Sequence, residues 1–303
     1  MTDRETGEHW KQLLAGGRES LRALIPQRLR GDAVVVPVVR LSGVIGFSTP
    51  LKPGLTLASI AKPLERAFTM RKARAVALLI NSPGGSPVQS HLIYRRIRAL
   101  AAENKLRVIA FAEDVAASGG YMIACAADEI ICDPSSIVGS IGVVGGSFGF
   151  AGLMDKLGIE RRLYTSGENK AMLDPFLPEK PEDVEKLKAV QRKIHEGFID
   201  LVRGSRGTRL KGSDQSLFSG EYWTGETAVE LGLADAIGDL RSTLRERFGE
   251  KVVTPLVSPP RSWLGRPQPG LGTALDVLTR RADVAEDVMS AIEARALWAR
   301  YGL

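Results

Sequence analysis

Ser118 stands in Ala116-Ala117-Ser118-Gly119-Gly120, where an apolar run gives way to a helical pattern. A serine among small residues on a strand-to-helix turn has the geometry of a nucleophile elbow, although the GxSxG signature is absent. The backbone N–H of Gly119 beside it is placed to meet a developing oxyanion. The commoner use of serine at such a point is to cap the helix. Three other stretches offer polar or bare backbone groups: Asn81-Ser82-Pro83-Gly84-Gly85, Gly139-Ser140-Ile141-Gly142-Val143 and Ser166-Gly167-Glu168-Asn169-Lys170. Taken singly, paired glycines are a turn and a loop lysine is a solvated charge. In an open α/β sheet, however, loops that follow successive strands converge at the carboxyl ends of those strands.

A serine nucleophile needs a base. The histidines are His9, His91 and His195, and the pattern puts His9 and His195 in surface helices and His91 at the start of one. Lysine is the alternative. An ammonium with an ordinary pKa of ~10.4 is protonated at neutral pH and accepts nothing. Burial disfavours the charged form, and bringing a lysine to ~8 takes roughly 3 kcal/mol of differential destabilisation. The aliphatic stretch Ile141, Val143 and Val144 is the expected source of that environment and of a substrate pocket for small or aliphatic side chains.

Ser118 and Lys170 are 52 residues apart, Gly85 lies 33 before Ser118, and Ser140 lies 22 after it. NSPGG, AASGG, GSIGV and SGxxK in this order and spacing resemble the signal peptide peptidase A family, serine–lysine dyad peptidases of the ClpP/crotonase superfamily. The resemblance covers roughly residues 33–247. It implies Ser118 as nucleophile, Lys170 as general base and Ser140 as the hydroxyl that orients the lysine. It further implies Gly85 and Gly119 as the oxyanion hole, ring-like homo-oligomers, and cleavage of apolar segments such as signal-peptide remnants. The sequence departs from that pattern at Ala171, where relatives often carry aspartate; the next acid is Asp174. Relatives often carry an N-terminal membrane anchor as well, and no such segment is read here. Two rival functions share the fold: a crotonase-type acyl-CoA enzyme, which would want site carboxylates, and a non-catalytic oligomeric scaffold.

The elements that must position these residues follow from periodicity. Apolar strands with almost no polar interruption (VVVPVVRLSGVI, AVALLINS, RVIAFAED, EIIC) alternate with helices expected at Ile60–Met70, His91–Glu103 and Gly120–Ala127. That alternation predicts an α/β fold with a largely parallel sheet covered on both faces, which the resemblance narrows to a ClpP/crotonase-like fold of strand-strand-helix units. RRLYTSGENK is expected to add a strand and loop, Pro181–Arg203 a long helix, and EYWTGETAVELGLADAIGDL a short helix and closing strand. Residues 1–32 are expected as an amphipathic helical extension, 33–250 as the peptidase domain, 251–270 as a proline-rich linker and 271–303 as an amphipathic C-terminal helix. The apolar stripe of the last helix must be covered, which predicts a homo-oligomer.

Composition sets the outer limits. The chain has 303 residues, 44% hydrophobic and 25% charged, and a formal net charge of +6 with basic and acidic residues interspersed. No long basic run or nucleic-acid module is present, so no nucleic-acid partner is expected. Cys125 and Cys132 form no CxxC pair and have no histidine nearby, so neither a metal nor another cofactor is expected. Two reduced thiols and no apolar run near 20 residues predict a cytoplasmic protein without signal peptide or transmembrane helix. Peripheral docking of the N-terminal helix on a membrane remains an alternative fate for its apolar face.

Overall fold

The computed structural model describes residues 33–46, 54–258, 292 and 294–303. The expected N-terminal helix and most of the expected C-terminal helix lie outside those residues. Seven strands form one sheet. Strand β1 (Val38–Ser42) leads to helix α1 (Leu57–Phe68), β2 (Ala75–Ser82) to α2 (Pro87–Asn104), and β3 (Arg107–Ala117) to the short α3 (Gly119–Ala124). Strands β4 (Glu129–Cys132) and β5 (Ile137–Gly139) follow, then α4 (Ala151–Leu157) and the long α5 (Pro181–Arg206). The chain continues through α6 (Asp214–Leu217), β6 (Tyr222–Thr224), α7 (Gly225–Glu230), β7 (Ala236–Ile237) and α8 (Leu240–Phe248).

The order β1-β2-β3-β4-β7 is parallel throughout. β3 is long enough to serve two partners. Its first half, Ile109–Ala112, pairs β4, and its end, Val115–Ala117, pairs β5. β5 in turn pairs β6 antiparallel. This splayed end of the sheet is where Ser118 emerges.

Alternation along β2 and β3 divides the core in two. Val76, Leu78 and Ile80 join Val108, Ala110 and Ala112 under α1, α2 and α3, in the larger cluster. Ala77, Ile109 and Phe111 face the other way, against Ile131 and Leu244 of α8. Burial on both faces is why these strands read as unbroken apolar runs. Local chemistry sets helix starts: Thr56 and Ser59 form a reciprocal capping box at α1, and Asp239 accepts from the N–H groups of Arg241 and Ser242 at α8.

Two expectations change. The strand expected within RRLYTSGENK does not form; residues 159–165 are irregular and exposed, and no sheet edge among the described residues reaches them. The first residues of the linker expected over 251–270 run along the sheet instead. Val253 bridges Val35, just before β1, and Leu256 bridges Val38 of β1, with the N–H of Val36 donating to Val253 at 2.9 Å and that of Val257 to Val38 at 2.8 Å. Pro255 is tolerated there because it lies on the edge and supplies only its carbonyl, to the N–H of Val38.

Cys125 and Cys132 are both buried free thiols; burial pushes Cys125 up to about 12 and Cys132 up to about 11. Such thiols are inert. Among the described residues no cluster of His, Cys, Asp and Glu could hold a metal ion, and no helix is long and apolar enough to cross a membrane.

Candidate active site

Ser118 ends β3 and begins α3 with φ 53° and ψ −122°, a conformation that L-residues rarely adopt. Its N–H donates to the carbonyl of Gly139 at 2.8 Å, and its own carbonyl accepts from Met122 at 2.9 Å. The residue is thus clamped between β5 and a helix whose residues are all buried. Ser118 occupies the capping position, but its hydroxyl makes no capping hydrogen bond. The bland use of this serine is therefore not the one the fold makes.

The NSPGG loop lies directly against it. A Cβ on Gly84 would fall 2.7 Å from Ser118 Cβ and 2.9 Å from the Gly119 nitrogen, so only glycine lets the two loops touch. Gly85 has φ 138° and bridges Ile45: the Ile45 N–H donates to Gly84 and the Ser86 N–H to Ile45, each at 2.8 Å. In a parallel bridge of this kind the central residue's own N–H points away from its partner. The Gly85 N–H is therefore turned off the Ile45 chain. A Cβ on Gly85 would sit 2.1 Å from the Ile45 carbonyl oxygen. Gly85→Ala should accordingly cost about 1–3 kcal/mol of stability by overpacking against backbone; thermal melts of the purified variant check this, and an unchanged melting temperature would contradict the packing.

Ser140 also has positive φ, 53°, and its N–H donates to Glu221 at 2.7 Å, fixing it where β5 meets β6. Of the aliphatic residues expected to line a pocket, Ile141 is fully buried in the core, Val143 is half-buried and Val144 is 64% exposed. The Ile141 carbonyl contacts His195 Nε2 at 3.0 Å, so His195 braces this segment from α5. Its periodicity marked only a surface helix; nothing local signals that contact. His91 is exposed and stacks on Tyr94.

Lys170 is placed differently from the other four. It sits in a turn where its N–H meets the Gly167 carbonyl at 3.3 Å, and it is exposed to solvent. Among the described residues its side chain has no hydrogen bond or ion pair, to Ser118 or to any other group. The structure therefore brings Ser118, Gly119, Gly84 and Gly85 together, with Ser140 one residue past the Gly139 anchor, and leaves Lys170 on a projecting arm. Residues 144–180 form that arm. It is braced internally by stacked Phe150 and Phe176 at 5.5 Å, Arg161 over Phe176 at 4.7 Å, and an Arg161–Asp174 ion pair at 2.8 Å. Asp174, the first acid after Lys170, is thus already committed to an arginine. A 610 Å³ hollow between α1 and α2, lined by Lys62, Glu65, Arg66 and Arg96 among others, contains none of these residues.

A model of the Peptidase family S49 matches residues 101–253, half of the chain and the stretch that holds Ser118, Ser140 and Lys170. The chain belongs to this family. Peptidase family S49 is the signal peptide peptidase A family of the sequence resemblance, and the sheet described above is its ClpP/crotonase-like α/β fold. The chain is 55% identical over 287 residues to a protein of Brucella abortus named Na(+)/H(+) antiporter NhaA, covering 93% of this chain and 39% of that protein. It is 32% identical over 217 residues to the chloroplastic serine protease SPPA of Arabidopsis thaliana, covering 70% of this chain and 32% of that one. Among solved structures, a variant of the 1510-N membrane-bound stomatin-specific protease superposes with a TM-score of 0.44 at 16% identity, covering 75% of this chain and 99% of that chain. The chain thus spans well under half the length of these two curated relatives.

Proposed function

We propose that this S49 chain is a serine endopeptidase in which Ser118 attacks the scissile carbonyl. The carrying observation is the strained backbone of Ser118 between β3 and α3, whose hydroxyl caps nothing while the Gly84–Gly85 loop packs against it. In this reading the N–H groups of Gly85 and Gly119 receive the oxyanion. The neutral amine of Lys170 takes the Ser118 proton as the bond to carbon forms, and the resulting ammonium returns a proton to the leaving amine. Ser140 aims the lysine. Water then hydrolyses the acyl-enzyme by the same route.

A lysine base must be withdrawn from water, and in one chain Lys170 is exposed. The arm that carries it also exposes Phe148 at 69%, Leu153 at 53%, Leu157 at 61% and Tyr164 at 89%. An apolar surface of that extent needs a cover. We assign the cover to a second copy of this chain, so that assembly as a homo-oligomer buries the arm and completes the dyad. Substrates are extended polypeptides with small or aliphatic residues before the cleaved bond, including signal-peptide remnants. The Brucella relative, named for an antiporter, makes work beside a membrane a fitting setting for this chain.

The test is mass spectrometry after treatment with a fluorophosphonate. Modification is expected at Ser118 and absent in Ser118→Ala; adduct formation at another serine, with Ser118 untouched, would remove the assignment.

A further inference from the structure

Resting on the reading of Ser118 and Ser140 as the active site, we propose that Trp298–Leu303 is a strap. It holds Tyr301 in a subsite formed by Tyr222 and Ser140, and that subsite takes an aromatic side chain of the substrate when the strap lifts.

The subsite is built by the β5–β6 pair. Gly139 stands opposite Tyr222, and Ser140 is tied to Glu221 by its N–H, so Tyr222 and Ser140 are held on one fixed backbone frame. Tyr222 is 49% exposed, an aromatic face open to solvent beside the proposed catalytic residues. The strap meets it twice. The Tyr301 ring approaches Tyr222 edge-on, with centroids 5.2 Å apart and planes at 73°, and the Tyr222 hydroxyl donates to the Arg300 carbonyl at 3.3 Å. The Ser140 side chain acts on the Tyr301 phenol as well, favouring its charged form. Burial raises the Tyr301 phenol, in keeping with a ring that has left solvent.

The strap is shaped for this presentation. The N–H groups of Tyr301 and Leu303 both turn back to the Trp298 carbonyl, at 2.9 and 3.4 Å, and that of Gly302 to Ala299 at 3.2 Å. The turn leaves the Tyr301 side chain as the part that enters the site. An edge-on ring pair is the arrangement that aromatic quadrupoles favour. Any aromatic side chain on an extended substrate could replace Tyr301 against Tyr222. A phenol on Ser140 also competes with the lysine amine that this hydroxyl is proposed to orient. Strap and substrate therefore exclude each other, and the strapped form is the slower one.

Tyr301→Ala in the full chain empties the subsite without touching the proposed catalytic residues. The second-order rate of Ser118 modification by a fluorophosphonate should rise by about fivefold or more, the factor set by how much of the protein is strapped. A fluorescent hexapeptide of residues 298–303 should bind Tyr301→Ala in an anisotropy assay. It should slow the modification again, and lose both effects when its tyrosine is replaced by alanine or when Tyr222→Ala is added to the protein. An unchanged modification rate in Tyr301→Ala, or a peptide that binds equally with and without its tyrosine, would overturn the strap. Tyrosine-dependent binding with no modification of Ser118 in any variant would keep the strap and sink the nucleophile.

Discussion

Lys170→Arg is expected to lower kcat/KM on a cleavable peptide by about 10²–10⁴-fold, the range lost when a general base is removed. Arginine keeps the charge, length and solubility of lysine but stays protonated, so it cannot accept the Ser118 proton. Lys170→Ala should lose as much. Because Lys170 is exposed on the arm, neither change should disturb the sheet, and circular dichroism and melting temperature should match wild type. The same geometry ties activity to assembly. Dilution below the dissociation point should reduce turnover in proportion to free chains, and a charge placed on the arm by Leu157→Glu should do so at any concentration. Retention of more than about a tenth of wild-type activity in Lys170→Arg would remove lysine from the mechanism. Full activity in a chain that sediments as a monomer would remove the second copy.

The second large effect concerns stability. Arg206, only 1% exposed, donates to both oxygens of Asp235 at 2.8 and 2.9 Å and to the Gly232 carbonyl at 2.9 Å. Asp235 also accepts from the Ile130 N–H at 2.7 Å and from Arg209 at 3.2 Å. This network clamps the end of α5 to β4 and the turn before β7. Arg206→Leu leaves a largely buried carboxylate without its main partner and should cost about 3–5 kcal/mol, or roughly 10 °C of melting temperature. The double variant Arg206→Leu, Asp235→Leu should recover part of that loss, since the orphaned charge goes with it. A single variant melting within about 2 °C of wild type would show the pair contributes little.

The pH dependence of that clamp has a definite sign. Burial acts to raise the Asp235 carboxyl, but the Arg206 hydrogen bonds and the Ile130 N–H outweigh it and hold the carboxyl below its usual value. A carboxyl depressed in the folded state contributes stability above its unfolded pKa, near ~3.9, and loses it as pH falls through the lower folded value. Wild type should therefore lose this contribution only in strong acid, and the Asp235→Leu background should show a flatter acid limb in melts taken through that range.

Ser118, Gly85, Gly119 and Ser140 were legible as candidates because each lies within a few residues of a strand end. Strand periodicity and small-residue turns are local signals, and the parallel sheet collects those ends at one edge without further instruction. The same locality explains the helices, whose caps, such as Thr56 with Ser59, are written within one turn. What depended on distant partners was not visible. Val253 and Leu256 become a sheet edge only because Val35 and Val38 lie there to receive them. RRLYTSGENK has strand-like residues but no edge to pair with among the described residues. Nothing around Asp174, the first acid after Lys170, announces Arg161 as its partner. Nothing near residue 195 or 301 announces Ile141 or Tyr222 as a neighbour. Sequence alone therefore determined which residues are candidates and on which turns they sit. Tertiary structure alone decided which of them meet, because a contact between residues far apart in the chain depends on how intervening elements pack, and no local pattern encodes that.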